Sequence, residues 1–258
     1  MSANKNAVIG DLLRQLSRAP ALSRAATVLS QIGREIGCEL IATAYNVSHD
    51  KALRDEKGEI VSKVLGWPGH MIDHWERQRY ILVHPVHMAA RVEWSPFYWT
   101  NKGRWSCAIE TDRLQRKLLH SIYDIGVKGG ITVPVHMPMG HVSAVSFTSF
   151  KETDWNGLLA DHQASLIAAA SLFVHHARRA QYQDIPDTTH YPRLTRREIE
   201  CVNLVAAGSS DTEIAEALSL SYPTVRFHLE NAGRKLKSRS RGQTAARAAQ
   251  LGILRPGA

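Results

Sequence analysis

The stretch SDTEIAEALSLSYPTVRFHLENAGRKL, residues 210–236, decides the carboxyl-terminal fold. Ser210 followed three positions later by Glu213 spells a capping box, in which each side chain answers a backbone N–H left without a partner at a helix start. A second helix opens at Ser221, where Pro223 is tolerated in the first turn and Val225, Leu229, Ala232 and Leu236 recur at helical spacing. Only Ser219–Ser221 separates the two, a length that sets two helices at a steep angle. The pattern reads as a helix-turn-helix.

Working outward, Thr195 with Glu198 and Ser240 with Gln243 repeat the capping signature, so residues 191–258 are expected to form an all-α unit of four short helices. This segment carries eleven Lys and Arg against six Asp and Glu, which is five of the eight net positive charges of the 258-residue chain. If the helix from Ser221 buries Val225, Leu229, Ala232 and Leu236, its opposite side offers Tyr222, Arg226, Phe227 and Glu230 to base edges. Arg234, Lys235, Lys237 and Arg239 then lie near phosphates, and Arg226 is suited to guanine.

The remaining three quarters have a different texture. Helical periodicity appears at 8–16, 22–36, 111–123 and 155–182, whereas ELIATAYNV (39–47), GITVPVH (130–136) and VSAVSFTSF (142–150) alternate and are rich in β-branched and aromatic residues. Pro138 and Gly140 mark a turn between the last two, which makes them a hairpin. Helices, then strands, then a closing helix imply an α+β class, an α/β/α sandwich around an antiparallel sheet over residues 1–185. The run DIPDTTHYP (184–192) is a poor helix and a poor strand, and a linker is placed at 186–190.

Composition narrows the function classes. A hydrophobic share of 44% and a charged share of 22% are those of a globular chain, and a net charge of +8 favours polyanionic partners. Three widely spaced cysteines without a CxxC suggest neither a disulfide framework nor a zinc knuckle. The longest nearly apolar stretch, Leu166–Val174, is about half of a bilayer span, and the first twenty residues lack the apolar core of a leader peptide. A cytoplasmic protein with no membrane partner is the expectation.

LTRREIECVNLVAAG (194–208), the 210–236 stretch and RGQTAARAAQLGIL (241–254) together resemble the DNA-binding domain of LuxR-type bacterial transcription regulators. That family's recurrent residues fall on Glu198, Gly208, Thr224, Val225, His228, Lys235 and Leu236, with Val202 and Ala232 standing where leucine and isoleucine are usual. The resemblance implies double-stranded DNA as partner, contacts at Thr224, Arg226, Phe227, Glu230, Arg234 and Lys235, a homodimer on a roughly two-fold operator, and contact with RNA polymerase.

Upstream, WPGHMIDHWERQRYILVHPV (67–86), PFYWT (96–100) and KGGITVPVHMPMGHVSAVSFTS (128–149) resemble the acyl-homoserine-lactone-binding domain of quorum-sensing LuxR-type regulators. The ligand-contacting positions fall on Trp67, Met71, Trp75, His84, Trp99 and Ser146, and the implied signal is such a lactone or a related acyl compound, with no cofactor. Where the family has Tyr, Trp, Tyr and Asp, this chain has Trp67, Met71, Trp75 and His84. Met71 has no donor to offer, and a neutral His84 accepts through one ring nitrogen only. Two readings of the sensor region therefore stay open: a pocket of altered specificity, or a filled aromatic core in a regulator that needs no signal.

An enzyme is the reading from another class. His84 and His87 form an HxxH pair with His136 and His141 as further candidates, but the glutamate of HExxH is missing and Pro85 between the pair argues against a helical display. No GxSxG elbow accompanies them, so no catalytic residue is assigned.

Overall fold

A computed structural model of the chain describes residues 2–49, 51–78, 80–137, 140–181 and 192–254. The chain divides into two compact units, one of Met1–His136 with His141–Gln183 and one whose main part is Asp184–Ala258. Pro138 in the hairpin turn and the linker at 186–190 lie outside the described residues.

The first unit opens with α1 (Ser2–Ser17) and α2 (Leu22–Ile36). Along α2, Leu22, Ala25, Ala26, Leu29, Ile32, Gly33 and Ile36 are buried, the stripe that helical periodicity demands of a helix with one covered face. The helix stops at Gly37, whose φ of 87° lies in the left-handed region that lets the Gly37 and Cys38 N–H groups turn back onto Arg34 and Gly33.

Four strands follow, β1 (Leu40–Ala44), β2 (Phe97–Thr100), β3 (Gly129–His136) and β4 (Val142–Ser149). They form one antiparallel sheet in the order β1-β4-β3-β2. Trp99 stands opposite Gly130 in the β2–β3 register, and a Cβ on Gly130 would sit 2.8 Å from Thr148 Cγ2 and 3.1 Å from Trp99 Cζ2. Glycine there leaves the room that the indole occupies.

Between β1 and β2 lie α3 (Val61–Val64), α4 (Gly69–Gln78), a 3-10 turn (Tyr80–Leu82) and α5 (Pro85–Val92). Pro85 occupies the first turn of α5 with His84 as its N-cap residue, so the proline that argued against a helix there starts one, since proline's missing N–H has no intrahelical partner at that position anyway. α6 (Arg113–Asp124) is opened by a capping box between Asp112 and Gln115. Asp112→Ala is expected to lower the stability of this unit by about 1 kcal/mol; an unchanged urea midpoint would show that α6 does not depend on its cap.

The long α7 (Trp155–Gln181) closes the unit. By length and composition it would pass as a membrane span, a longer apolar helix than the Leu166–Val174 run suggested. In the fold its Leu166, Ala169, Ala170, Phe173 and Ala177 are buried as it packs on α1, α2 and the sheet. With α2 and α7 on the sheet, α5 against β3 and β4, and Leu119 and Ile122 of α6 clustered with Phe97 and Trp99, helices cover the sheet as an α/β/α arrangement requires.

The second unit consists of α8 (Arg196–Ala206), α9 (Asp211–Leu218), α10 (Tyr222–Lys235) and α11 (Arg241–Gln250). Reciprocal capping boxes open α8 at Thr195 and α9 at Ser210. At α11 only one arm forms: Ser240 accepts from the Gln243 N–H, but Gln243 Oε1 accepts from Arg239 N at 2.6 Å. Ser219, at φ 52°, makes the bend between α9 and α10. Val202 and Ala232, the two departures from the usual larger residues, are fully buried in one cluster with Leu236 and Ala248.

Candidate functional site

In the first unit a cavity of about 110 Å³ opens against the sheet, and its lining includes Trp67, Met71, Trp75, His84, Trp99 and Ser146. These are the six positions singled out in the sequence, and local structure explains their convergence. Met71 and Trp75 lie one turn apart on α4 and share a face, Trp67 precedes that helix, and His84 occupies the N-cap position of α5 without a side-chain capping bond. Trp99 on β2 and Ser146 on β4 supply the sheet side. Trp67 and Trp75 stand with ring centroids 6.5 Å apart, and Trp75 lies 5.0 Å from the His84 ring, so the wall is a run of aromatic contacts.

Much of the wall's polar capacity is already committed within the protein. Trp67 Nε1 donates to Ile41 O at 2.9 Å, Trp99 Nε1 donates to Thr132 Oγ1 at 3.0 Å, and Thr132 Oγ1 pairs with Ser146 Oγ at 2.8 Å. Glu76 Oε1 accepts from Ala52 N at 2.8 Å. His84, only 2% exposed, is held neutral: burial pushes its imidazole well below the ordinary histidine value, and the neighbouring His87 adds to the effect. Thr43 and Glu76 also line the cavity without having been singled out in the sequence, as does His87, which was read there only as half of an HxxH pair. Thr43 sits in an alternating strand, whose pattern tells neighbours apart without saying which face meets a cavity.

In the second unit α10 presents the expected exposed side. Phe227 is 61% exposed and Tyr222 47%, while Val225, Ala232 and Leu236 are buried. Arg226 donates to Glu230 at 3.3 Å, one turn along; both are more than half exposed, so solvent screens this pair and it holds the guanidinium only weakly. Arg234 donates to Asn231 at 2.8 Å, and the Thr224 and Ser221 hydroxyls meet at 2.7 Å. Arg226, Glu230, Arg234, Arg239 and Arg241 flank one concave surface beside the helix.

Lys235 departs from the set. Its ammonium donates to both carboxylate oxygens of Glu198, at 2.7 and 2.9 Å, and the Glu198 side chain is 4% exposed. Burial alone would raise the Glu198 carboxyl, but Lys235 and the Thr195 N–H together hold it below the ordinary carboxylate value. The charge assigned to phosphates from its place near the end of a basic helix therefore has an internal partner that joins α10 to the start of α8.

Comparison with known proteins assigns these two regions. Residues 23–177 match the family model of the autoinducer binding domain, and residues 192–248 that of the bacterial regulatory proteins of the luxR family. A putative HTH-type transcriptional regulator, y4qH of Sinorhizobium fredii, is 30% identical over 227 residues, covering 88% of this chain and 67% of that protein. The quorum sensing-dependent regulator RpaR of Rhodopseudomonas palustris is 27% identical over 190 residues, 74% of each chain. Among solved structures, Escherichia coli SdiA shares the fold with a TM-score of 0.54 at 17% identity, covering 96% of this chain and 98% of its own.

Proposed function

The chain belongs to the LuxR family of quorum-sensing transcriptional regulators with an autoinducer binding domain, and from that premise we propose how its two units divide the work. The first unit binds a small acyl or aromatic signal in the cavity lined by Trp67, Met71, Trp75, His84, Trp99 and Ser146. The second binds DNA as half of a homodimer on a roughly two-fold operator, with α10 in the major groove. Activation through contact with RNA polymerase completes the reading. Its chief support is that six positions spread over α4, the segment before it, the N-cap position of α5 and strands β2 and β4 line one cavity.

On α10, Arg226 reads a base, Thr224, Phe227 and Glu230 shape the contact, and Arg234 faces the backbone. Arg226→Ala is expected to lose about 1–3 kcal/mol at one base pair per half-site, roughly fivefold to 150-fold, with little change on random DNA. Equal losses on both DNAs, measured by equilibrium titration at one salt concentration, would refute direct readout by this residue.

The decisive experiment is occupancy of genomic DNA fragments by protein purified from a host that makes no lactone, with and without acyl-homoserine lactones and related acyl compounds. Occupancy that depends on one compound supports signal control. Equal occupancy throughout favours the second reading, a signal-independent regulator, for which the specific observation is that Trp67, Trp99 and Ser146 already have internal partners.

A further inference from the structure

Away from the cavity, α7 buries two histidines, His162 and His176, about four turns apart on the side that meets α1. His176 Nε2 lies 2.8 Å from Leu16 O near the end of α1. His162 feels the charge of Lys5 near the start of that helix, and its buried Nδ1 has no hydrogen-bond partner among the described residues. The two helices therefore run side by side in the same direction, with a buried imidazole towards each end of their contact. α1 packs on α2 and α7, whereas those two reach the sheet, so it is an outer element that can open locally at a lower cost than the layers beneath it.

We propose that α1 is an acid-released element of the first unit: when His162 and His176 take up protons, α1 comes away from α7 while the layers beneath it stay folded, and the apolar surface that Ile9 and Leu16 cover meets water. The hydrogen bonds carry the first half of the argument. A neutral imidazole has one N–H to place, a protonated one has two and a charge besides. The N–H that His176 offers Leu16 O serves the neutral form equally well, and the Nδ1 of His162 would gain an N–H with no acceptor within reach. A buried donor without a partner and a buried charge without a counter-charge both favour the open arrangement.

Electrostatics carry the second half. Burial holds both imidazoles below the ordinary histidine value. Lys5 on α1 further opposes a proton on His162, with Asp161 favouring one, and His175 and Arg179 oppose one on His176, where the bond to Leu16 favours it. Asp11 and Arg14 of α1, Arg18 just beyond it, and Arg24, Arg34 and Glu35 of α2 are exposed. Of the strands packed on α7, β2 and β4 carry no titratable residue and β3 only His136. A histidine held below its unfolded value contributes stability that is fully present above that value, about 6.5, and is lost as pH falls through it towards the folded one. Each histidine freed on opening then favours the open form about tenfold more at pH 5.5 than at pH 7.5, and two such groups about a hundredfold.

The test is amide hydrogen exchange of the full-length protein at those two pH values, read as protection factors so that the intrinsic pH dependence of exchange drops out. Protection of α1 is expected to fall by about tenfold to a hundredfold, while that of β3 and β4 stays unchanged. His162→Gln and His176→Gln, the second of which keeps an amide N–H for Leu16 O, are each expected to remove about tenfold of that loss, and the double variant to hold α1 equally at both pH values. An NMR titration of the wild-type imidazole C–H signals needs no substitution, and both histidines are expected to titrate below about 6.5. Unchanged α1 protection in the wild type, an equal loss in the double variant, or titration of both imidazoles at or above the ordinary value would overturn the proposal. So would a loss that spreads in step to β3 and β4, since that is acid unfolding of the whole unit and not release of α1.

Discussion

Lys235→Met is expected to destabilise the helical unit by about 3 kcal/mol near neutral pH, because it leaves a buried carboxylate without its counter-charge. The Glu198 side chain is 4% exposed, and without the ammonium its remaining polar partner is the capping interaction with Thr195. The ammonium itself is 38% exposed, so the cost sits on the carboxylate side of the pair. The pH dependence follows from the direction of the Glu198 shift. A carboxyl held below its unfolded value of about 4.3 contributes stability that is present above that value and is lost as pH falls through the folded one. The difference between wild type and variant should therefore be largest near pH 7 and shrink as pH falls through the folded value, below which the acid is protonated in both.

All six tryptophans lie in residues 67–155, so their fluorescence reports the first unit only. The measurement needed is amide hydrogen exchange of α8 and α10 in the full chain. Because a unit of ordinary stability, about 5–15 kcal/mol, survives a loss of this size, the variant stays folded and its DNA binding can be compared directly. The salt slope is expected to be unchanged. A stability change within about 0.5 kcal/mol together with a slope flattened by about one unit would return Lys235 to the phosphate backbone.

Lys235 also shows where reading from sequence stops. Charge and helical position placed it beside Arg234, and nothing in a periodic pattern links it to Glu198, 37 residues earlier. By contrast, local signals carried the helical unit well: Thr195 and Ser210 cap where their spacing with Glu198 and Glu213 demanded, and Val225, Ala232 and Leu236 are buried. The same holds for α2 and for the β3–β4 hairpin, long elements with a clear period. The segment between β1 and α6 was hardest to read. Its helices α3 and α5 run only four and eight residues and β2 only four, too short for periodicity to register. The pocket residues there were found through resemblance rather than through pattern. Thr43 carried no signal at all, since its place on the cavity wall is a property of three-dimensional surroundings.

Trp99→Ala should produce the largest loss in the first unit, about 3–5 kcal/mol. The indole is 2% exposed and packs with Phe97, Leu119, Ile122 and Val86, while Gly130 opposite is kept free of a side chain that would crowd it. Truncation adds a void continuous with the cavity that Trp99 already lines, and surrounding strands cannot close over it without breaking the β2–β3 register. It also removes the donor to Thr132 Oγ1, although Ser146 still pairs with that hydroxyl. Trp99→Phe retains most of the apolar contact and is expected to lose only about 1–2 kcal/mol. Urea unfolding followed by tryptophan fluorescence should show lower midpoints with little change in slope. Ligand separates packing from recognition: at a hundredfold excess over its Kd a bound signal adds about 2.7 kcal/mol to the wild type, and the alanine variant, lacking that wall of the cavity, should gain far less. Equal gains in both proteins would mean that Trp99 fills the core without touching the signal.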